Sequence, residues 1–358
     1  EGSIMDKLRI GNKLARVPII QGGMGVGVSL SGLASAVANQ GGIGTISGVQ
    51  IGFRESDFAT NTNEANIRGL KKEIRLAREK SPDGILAVNL MVAIDNYREM
   101  VKAAVEEGID LIISGAGLPS ELPELVKGSD TKIAPIVSSG KAAAVITKLW
   151  TKRHNYLPDL IVVEGPMAGG HLGFSDEVLQ SGKLPDIRDL VKEVREAIRS
   201  YEDTCDKKIP IAAAGGIYYS EEIRELLQIG ADAVQLGSRF VATQECDAHI
   251  SFKEAYVQSK NEDIGYVKSP VGMPGQVILN DFIRRVSLER EKVTKCYNCL
   301  TPCNPATTQY CITSALIRSV TGDVDNGLVF IGKRGYLIDR ITTVKELIEE
   351  LTQSLTLD

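Results

Sequence analysis

Eight short apolar runs, each followed by a polar or helix-like segment, constrain this chain more than any other feature. They are Val17–Gln21, Ile43–Ile46, Ile85–Met91, Leu111–Ser114, Ile133–Ser138, Leu160–Val163, Ile209–Ala213 and Ala233–Leu236. Most are continuous rather than alternating, the pattern of parallel strands covered on both faces. Helical patterning fills the intervals at Leu30–Asn39, Asn66–Glu79, Tyr97–Glu107, Glu121–Lys127, Lys141–Lys152, Ile187–Tyr201 and Ser220–Gln228. Doubly wound sheets also alternate strand with helix, but a count of eight favours a closed (β/α)8 barrel. The expectation is an α/β fold, a TIM barrel over residues 5–250.

The last third breaks this rhythm. Lys253–Lys260 reads as a helix, Ser269–Gln276 as a Gly/Pro loop, and Val277–Glu291 as a helix with basic residues at its centre. Four cysteines follow, then apolar segments at Thr313–Val320 and Val344–Leu355. Residues 251–358 are therefore expected to form an appended helical, cysteine-containing subdomain packed on the barrel, too interrupted to build a large core of its own.

Composition narrows the function classes. The formal charge of −5 argues against a broad nucleic-acid-binding surface. No apolar stretch is long enough to span a membrane, and no signal peptide is visible, so a cytoplasmic location is expected. Glycine is in excess, 35 residues against about 25 at the usual frequency. Without a matching proline excess, that points to tight turns and close backbone approaches, as phosphate-binding loops require.

The glycines fall where a barrel keeps its chemistry, at the C-terminal ends of the strands. The seventh run ends in Ala214-Gly215-Gly216 and the eighth in Gly237-Ser238, the two usual places for a phosphate. The first run ends in Gln21-Gly22-Gly23-Met24, where missing side chains leave room for a flat ring. Asn89 ends the third run with an amide that both donates and accepts, suited to the edge of a heterocycle. The sixth run leads into Glu164-Gly165-Pro166-Met167-Ala168-Gly169-Gly170-His171. Imidazole titrates near neutrality, so His171 is the candidate catalytic acid/base. His154 reads as part of a solvated loop and His249 as structural.

These segments resemble the nitronate monooxygenase family, once called 2-nitropropane dioxygenases, and equally its relative, the flavin-dependent enoyl-acyl-carrier-protein (ACP) reductase of the second type. The resemblance runs from about Val17 to His249. It rests on QGGMG at Gln21–Gly25, VN at Val88–Asn89, AGGHLG at Ala168–Gly173, AAGGI at Ala213–Ile217 and QLGSRF at Gln235–Phe240. It implies FMN as prosthetic group. Gly215, Gly216, Gly237 and Ser238 would then hold the phosphate, and Gly22, Gly23, Met24 and Asn89 would line the ring. Gln21, Glu164, Gly170, Ala214 and Gln235 complete the expected cofactor-binding set. Met167 stands where many relatives carry glutamate, which bears on substrate contacts rather than on the flavin.

The expected activity is oxidation of alkyl nitronates with oxygen, with a small-molecule substrate and His171 as acid/base. The alternative is an enoyl-ACP reductase, or a related ene-reductase, fed by NAD(P)H. A carrier-protein partner would need a basic surface, for which Arg284, Arg285, Arg290 and Lys292 are candidates. A flavin-binding regulatory barrel without turnover is the non-enzymatic alternative, and a homodimer is possible for any of the three. Cys296, Cys299, Cys303 and Cys311 form a C-x2-C-x3-C-x7-C pattern. Thiolates at such spacing bind zinc or an iron–sulfur cluster, while free thiols are the alternative.

Overall fold

The computed structural model describes Met5 and residues 8–356. Eight parallel strands close into a barrel: β1 (Ile19–Gln21), β2 (Ile43–Ser47), β3 (Ile85–Met91), β4 (Leu111–Gly115), β5 (Lys132–Val137), β6 (Ile161–Glu164), β7 (Ile211–Ala214) and β8 (Ala233–Leu236). They pair in chain order, and β8 returns to β1 through Gln235 opposite Ile20. The fold is the (β/α)8 TIM barrel expected from the eight runs.

The alternation hidden inside each apolar run separates two cores. Ile20, Ile43, Ile85, Ala87, Leu111, Ile113, Val162 and Ala212 point into the barrel. Their neighbours Ile19, Ile46, Leu86, Val88, Ile112, Val163 and Ile211 point outward under the helices. Strands buried on both faces need apolar residues at consecutive positions, which is why the runs are continuous. A short hairpin, Arg9–Ile10 with Lys13–Leu14, plugs the N-terminal end of the barrel. Its Leu8, Ile10 and Ala15 join the inner core. Lys13 Nζ anchors it to the Gly84 carbonyl at 3.1 Å and to Asp110 at 3.1 Å. That closes one end and leaves the C-terminal end for the site.

The region after residue 250 departs from expectation in two places. Ser269–Gln276 is not all loop: Ile264–Lys268 and Pro274–Ile278 form an antiparallel hairpin, and Gly170–His171 joins it as a third strand. Val277–Glu291 is not one helix either. Val277 and Ile278 finish that strand, and the helix runs over Asp281–Leu288. The break is set at Asn280, whose side-chain oxygen accepts from the Ile283 N–H at 3.0 Å and so starts a new helix there. The helix Val344–Thr352 packs against Ser31–Asn39 of the barrel's outer layer. One continuous apolar cluster joins barrel residues such as Leu33 to Leu347 and Leu351. Among the described residues, no helix is long and apolar enough to cross a membrane.

Candidate active site

A cavity of about 480 Å³ opens at the C-terminal ends of the strands. Gly22, Gly23, Met24, Asn89, Glu164, Gly170, His171, Ala214, Gly215, Gly216, Gln235, Gly237 and Ser238 all border it. Five separate strand ends are thus brought to one place. Gln21 is the exception. Its side chain turns away from the cavity, donating to the Thr45 carbonyl at 3.0 Å and accepting from the Thr45 N–H at 3.0 Å. Gln21 is a buried clamp between β1 and β2, so its amide is not available to a ligand.

The glycines are required by contact and conformation. A Cβ on Gly23 would stand 2.5 Å from the Asn89 Cβ. Gly215 and Gly216 hold φ of +104° and +75°, and a Cβ on Gly216 would meet the Met167 Cβ at 2.7 Å. Such backbone leaves no space for a side chain. Gln235 Oε1 is buried at the cavity wall without any hydrogen-bond partner. An unpaired buried acceptor of this kind is costly unless a ligand supplies a donor. Glycine-lined turns at β7 and β8 together with this orphaned acceptor fit a flat, anionic cofactor with a donor on its ring edge.

Of the titratable groups that border the cavity, Glu164 and His171 lie deep enough to be shielded from bulk water. Burial raises the Glu164 carboxyl to about 8, and among the described residues no basic side chain opposes it. Burial lowers the His171 imidazole to about 4. At neutral pH Glu164 is therefore largely protonated and His171 is uncharged. His171 Nε2 lies 2.7 Å from Ser269 Oγ, and its ring packs edge-on against Phe330 with centroids 5.1 Å apart. Ser269 Oγ also accepts from the Val271 N–H at 3.2 Å. His154 and His249 play structural parts: His154 Nε2 meets the Ser120 carbonyl at 3.0 Å, and His249 Nδ1 accepts from the Ser251 N–H at 3.0 Å.

Sequence reading missed the residues that close the cavity from above. Phe330, Gly332 and Arg334 come from beyond the barrel, as does Ser269, which stands behind His171. The Gly332 N–H donates to Ser238 Oγ at 2.8 Å. Arg334 donates to the Gly216 carbonyl at 2.8 Å and pairs with Glu222 at 2.5 Å. The only local signal was Gly332 and Gly335 around a basic pair in an otherwise unassigned segment.

The four clustered cysteines are all free thiols, and Cys299 borders the cavity. They do not converge on a single point. Among the described residues, no group of three or more His, Cys, Asp or Glu side chains is arranged to hold one metal ion. The basic residues expected to offer a docking patch are largely engaged nearby. Arg284 pairs with Asp281 at 2.8 Å and Arg285 with Glu291 at 3.2 Å, while Arg290 donates to the Thr308 and Pro305 carbonyls at 2.8 and 2.7 Å.

Fold and site together define a TIM-barrel enzyme whose cleft is lined by strand-end glycines, Glu164 and His171. The nitronate monooxygenase family model matches residues 8–354, and the chain belongs to that family of FMN-dependent oxidoreductases. It is similar to a probable nitronate monooxygenase of Staphylococcus saprophyticus, 28% identical over 76% of this chain and 78% of that one. Among solved structures it resembles FabK of Thermotoga maritima, 27% identical with a TM-score of 0.73, covering 94% of this chain and 92% of that one. Nitroalkane oxidase of Streptomyces ansochromogenes shares the fold at 22% identity with a TM-score of 0.72, covering 94% and 95%.

Proposed function

We propose that this enzyme oxidises alkyl nitronates with oxygen through bound FMN, with His171 positioning the nitronate or handling its proton. The observation that carries the proposal is an uncharged imidazole in the wall of the glycine-lined cleft. The family and the similarity to the staphylococcal protein support it. The backbone at Gly215, Gly216 and Gly237 and the Ser238 hydroxyl hold the phosphate. Gly22, Gly23, Met24 and Asn89 line the ring, and Gln235 Oε1 accepts from the ring edge. Glu164 stays protonated, so it meets the ring as a neutral donor and acceptor. When bound, FMN supplies the electron acceptor and the protein supplies orientation. His171 holds the nitronate, or moves a proton, at the ring nitrogen that Ser269 does not occupy. Phe330 shields the imidazole from water.

Similarity to FabK across nearly the whole chain favours a second reading, reduction of an enoyl thioester with NAD(P)H as electron donor. His171 would then protonate the α-carbon. An acyl carrier protein would be the partner in that case, with Lys292 among the exposed basic residues left to meet it.

An anaerobic visible spectrum tests both. FMN bands should bleach on addition of propane-2-nitronate and persist with NADH or NADPH. Bleaching by nicotinamide alone overturns the nitronate reading in favour of the reductase. No bound flavin after reconstitution with FMN removes both.

A further inference from the structure

We propose that Cys296, Cys299, Cys303 and Cys311 hold an iron–sulfur cluster at the wall of the active-site cavity. The proposal does not depend on which substrate the enzyme takes. Four of the six cysteines fall within sixteen positions, and none is in a disulfide. The fold keeps them together in space. Cys299 stands near Cys303 and Cys311, and Cys303 near Cys296 and Cys311. Every thiol of the set thus has another of the set for a neighbour.

The segment is fastened to the barrel rather than loose. The Asp95 N–H donates to the Cys299 carbonyl at 3.0 Å, and the Thr301 N–H to the Ala93 carbonyl at 3.1 Å. Tyr297 stacks on Phe58 at 5.2 Å between centroids. These contacts fasten the segment around Cys299 to the loops that follow β2 and β3. Cys311 opens the nine-residue helix Ile312–Val320, where the helix terminus favours negative charge.

The arrangement discriminates between occupants. A structural zinc site draws four sulfurs to about 2.3 Å from a single ion, which sets them about 3.8 Å from one another. No three of these side chains are arranged that way. In a four-iron cluster each thiolate binds its own iron, so the sulfurs surround the inorganic core without converging. Neighbouring yet non-convergent thiols fit the second case. A donor already faces one sulfur: the Asn298 N–H lies 3.4 Å from Cys296 Sγ, with Asn298 at φ +51°. Hydrogen bonds to sulfur are a usual means of stabilising and tuning such clusters. Because Cys299 also borders the cavity, the cluster would stand against the cofactor site rather than at a remote surface.

The test is metal and sulfide analysis of the full chain purified without oxygen, repeated after incubation with ferrous iron and sulfide. Iron and acid-labile sulfide are expected in equal amounts, several atoms per chain, with a paramagnetic signal on dithionite reduction. Cys303→Ser and the milder, exposed Cys296→Ser should each lose most of the iron, while Cys205→Ser keeps it. Thermal unfolding of each variant separates loss of the site from loss of the fold. Stoichiometric zinc without sulfide overturns the proposal. So does failure to retain iron after reconstitution, or iron unchanged in a folded Cys296→Ser protein.

Discussion

The barrel and the region beyond residue 250 contribute to one cavity in opposite ways. The barrel strands are buried on both faces, and their inner residues Ile20, Ile43, Leu111 and Val162 are wholly excluded from solvent. The later region offers strands of five residues, of which Ile264–Lys268 is nowhere fully buried. Yet it braces the glycine-rich turns. Gln276 Nε2 donates to the Ala168 carbonyl at 2.7 Å, the Lys333 N–H to the Met167 carbonyl at 2.9 Å, and Arg334 to the Gly216 carbonyl. The difference separates two tasks. A packed barrel sets where the strand ends stand, and a polar cap sets how the loops on those ends are held. Stability lives mostly in the first, and orientation of His171 in the second.

That division can be broken most sharply from the barrel side. Gly216→Asp places a carboxylate and a Cβ where neither fits, at φ +75° and against Met167. It should leave a folded protein with no detectable FMN by absorbance after reconstitution. Stoichiometric flavin in that variant removes the phosphate assignment. His171→Ala should keep flavin but lower kcat/KM by about 10²–10⁴-fold, the usual worth of a general acid or base. Loss of flavin together with activity would make His171 a binding residue instead. Ser269→Ala tests the cap alone. Removing one hydrogen bond to the imidazole should cost about five- to tenfold in kcat/KM. It should also shift the nitrogen NMR signals of His171, which a merely structural serine would not do.

The smallest effects are on stability against pH, and they carry opposite signs. The folded His171 refuses a proton down to about 4, whereas the unfolded imidazole takes one up near 6.5. Stability of the apoprotein should therefore fall as pH drops from 6.5 toward 4. Folded Glu164 keeps its proton up to about 8, whereas the unfolded carboxyl loses it near 4.5. That contribution is complete below 4.5 and is lost as pH rises toward 8. Melting temperatures across this range should flatten on the acid side in His171→Ala and on the alkaline side in Glu164→Gln. Unchanged profiles in both variants would mean that neither group is shielded as the cavity implies.

The sequence by itself determined the barrel. Continuous apolar runs and the helical patterning between them are local properties, and eight of them leave few ways to close a sheet. It also placed the glycines and His171 at strand ends, because a residue's distance from the end of its own run is local too. It could not say that Gln21 turns back onto Thr45, since that choice belongs to the neighbouring strand. Nor could it find Ser269 or Arg334, which act on residues 98 and 118 positions away. The hairpin that recruits Gly170–His171 was invisible for the same reason: its short strands are held by pairing rather than by their own composition. Tertiary structure alone decided the charge states of His171 and Glu164, because desolvation is set by everything packed around a group and by nothing in its place along the chain.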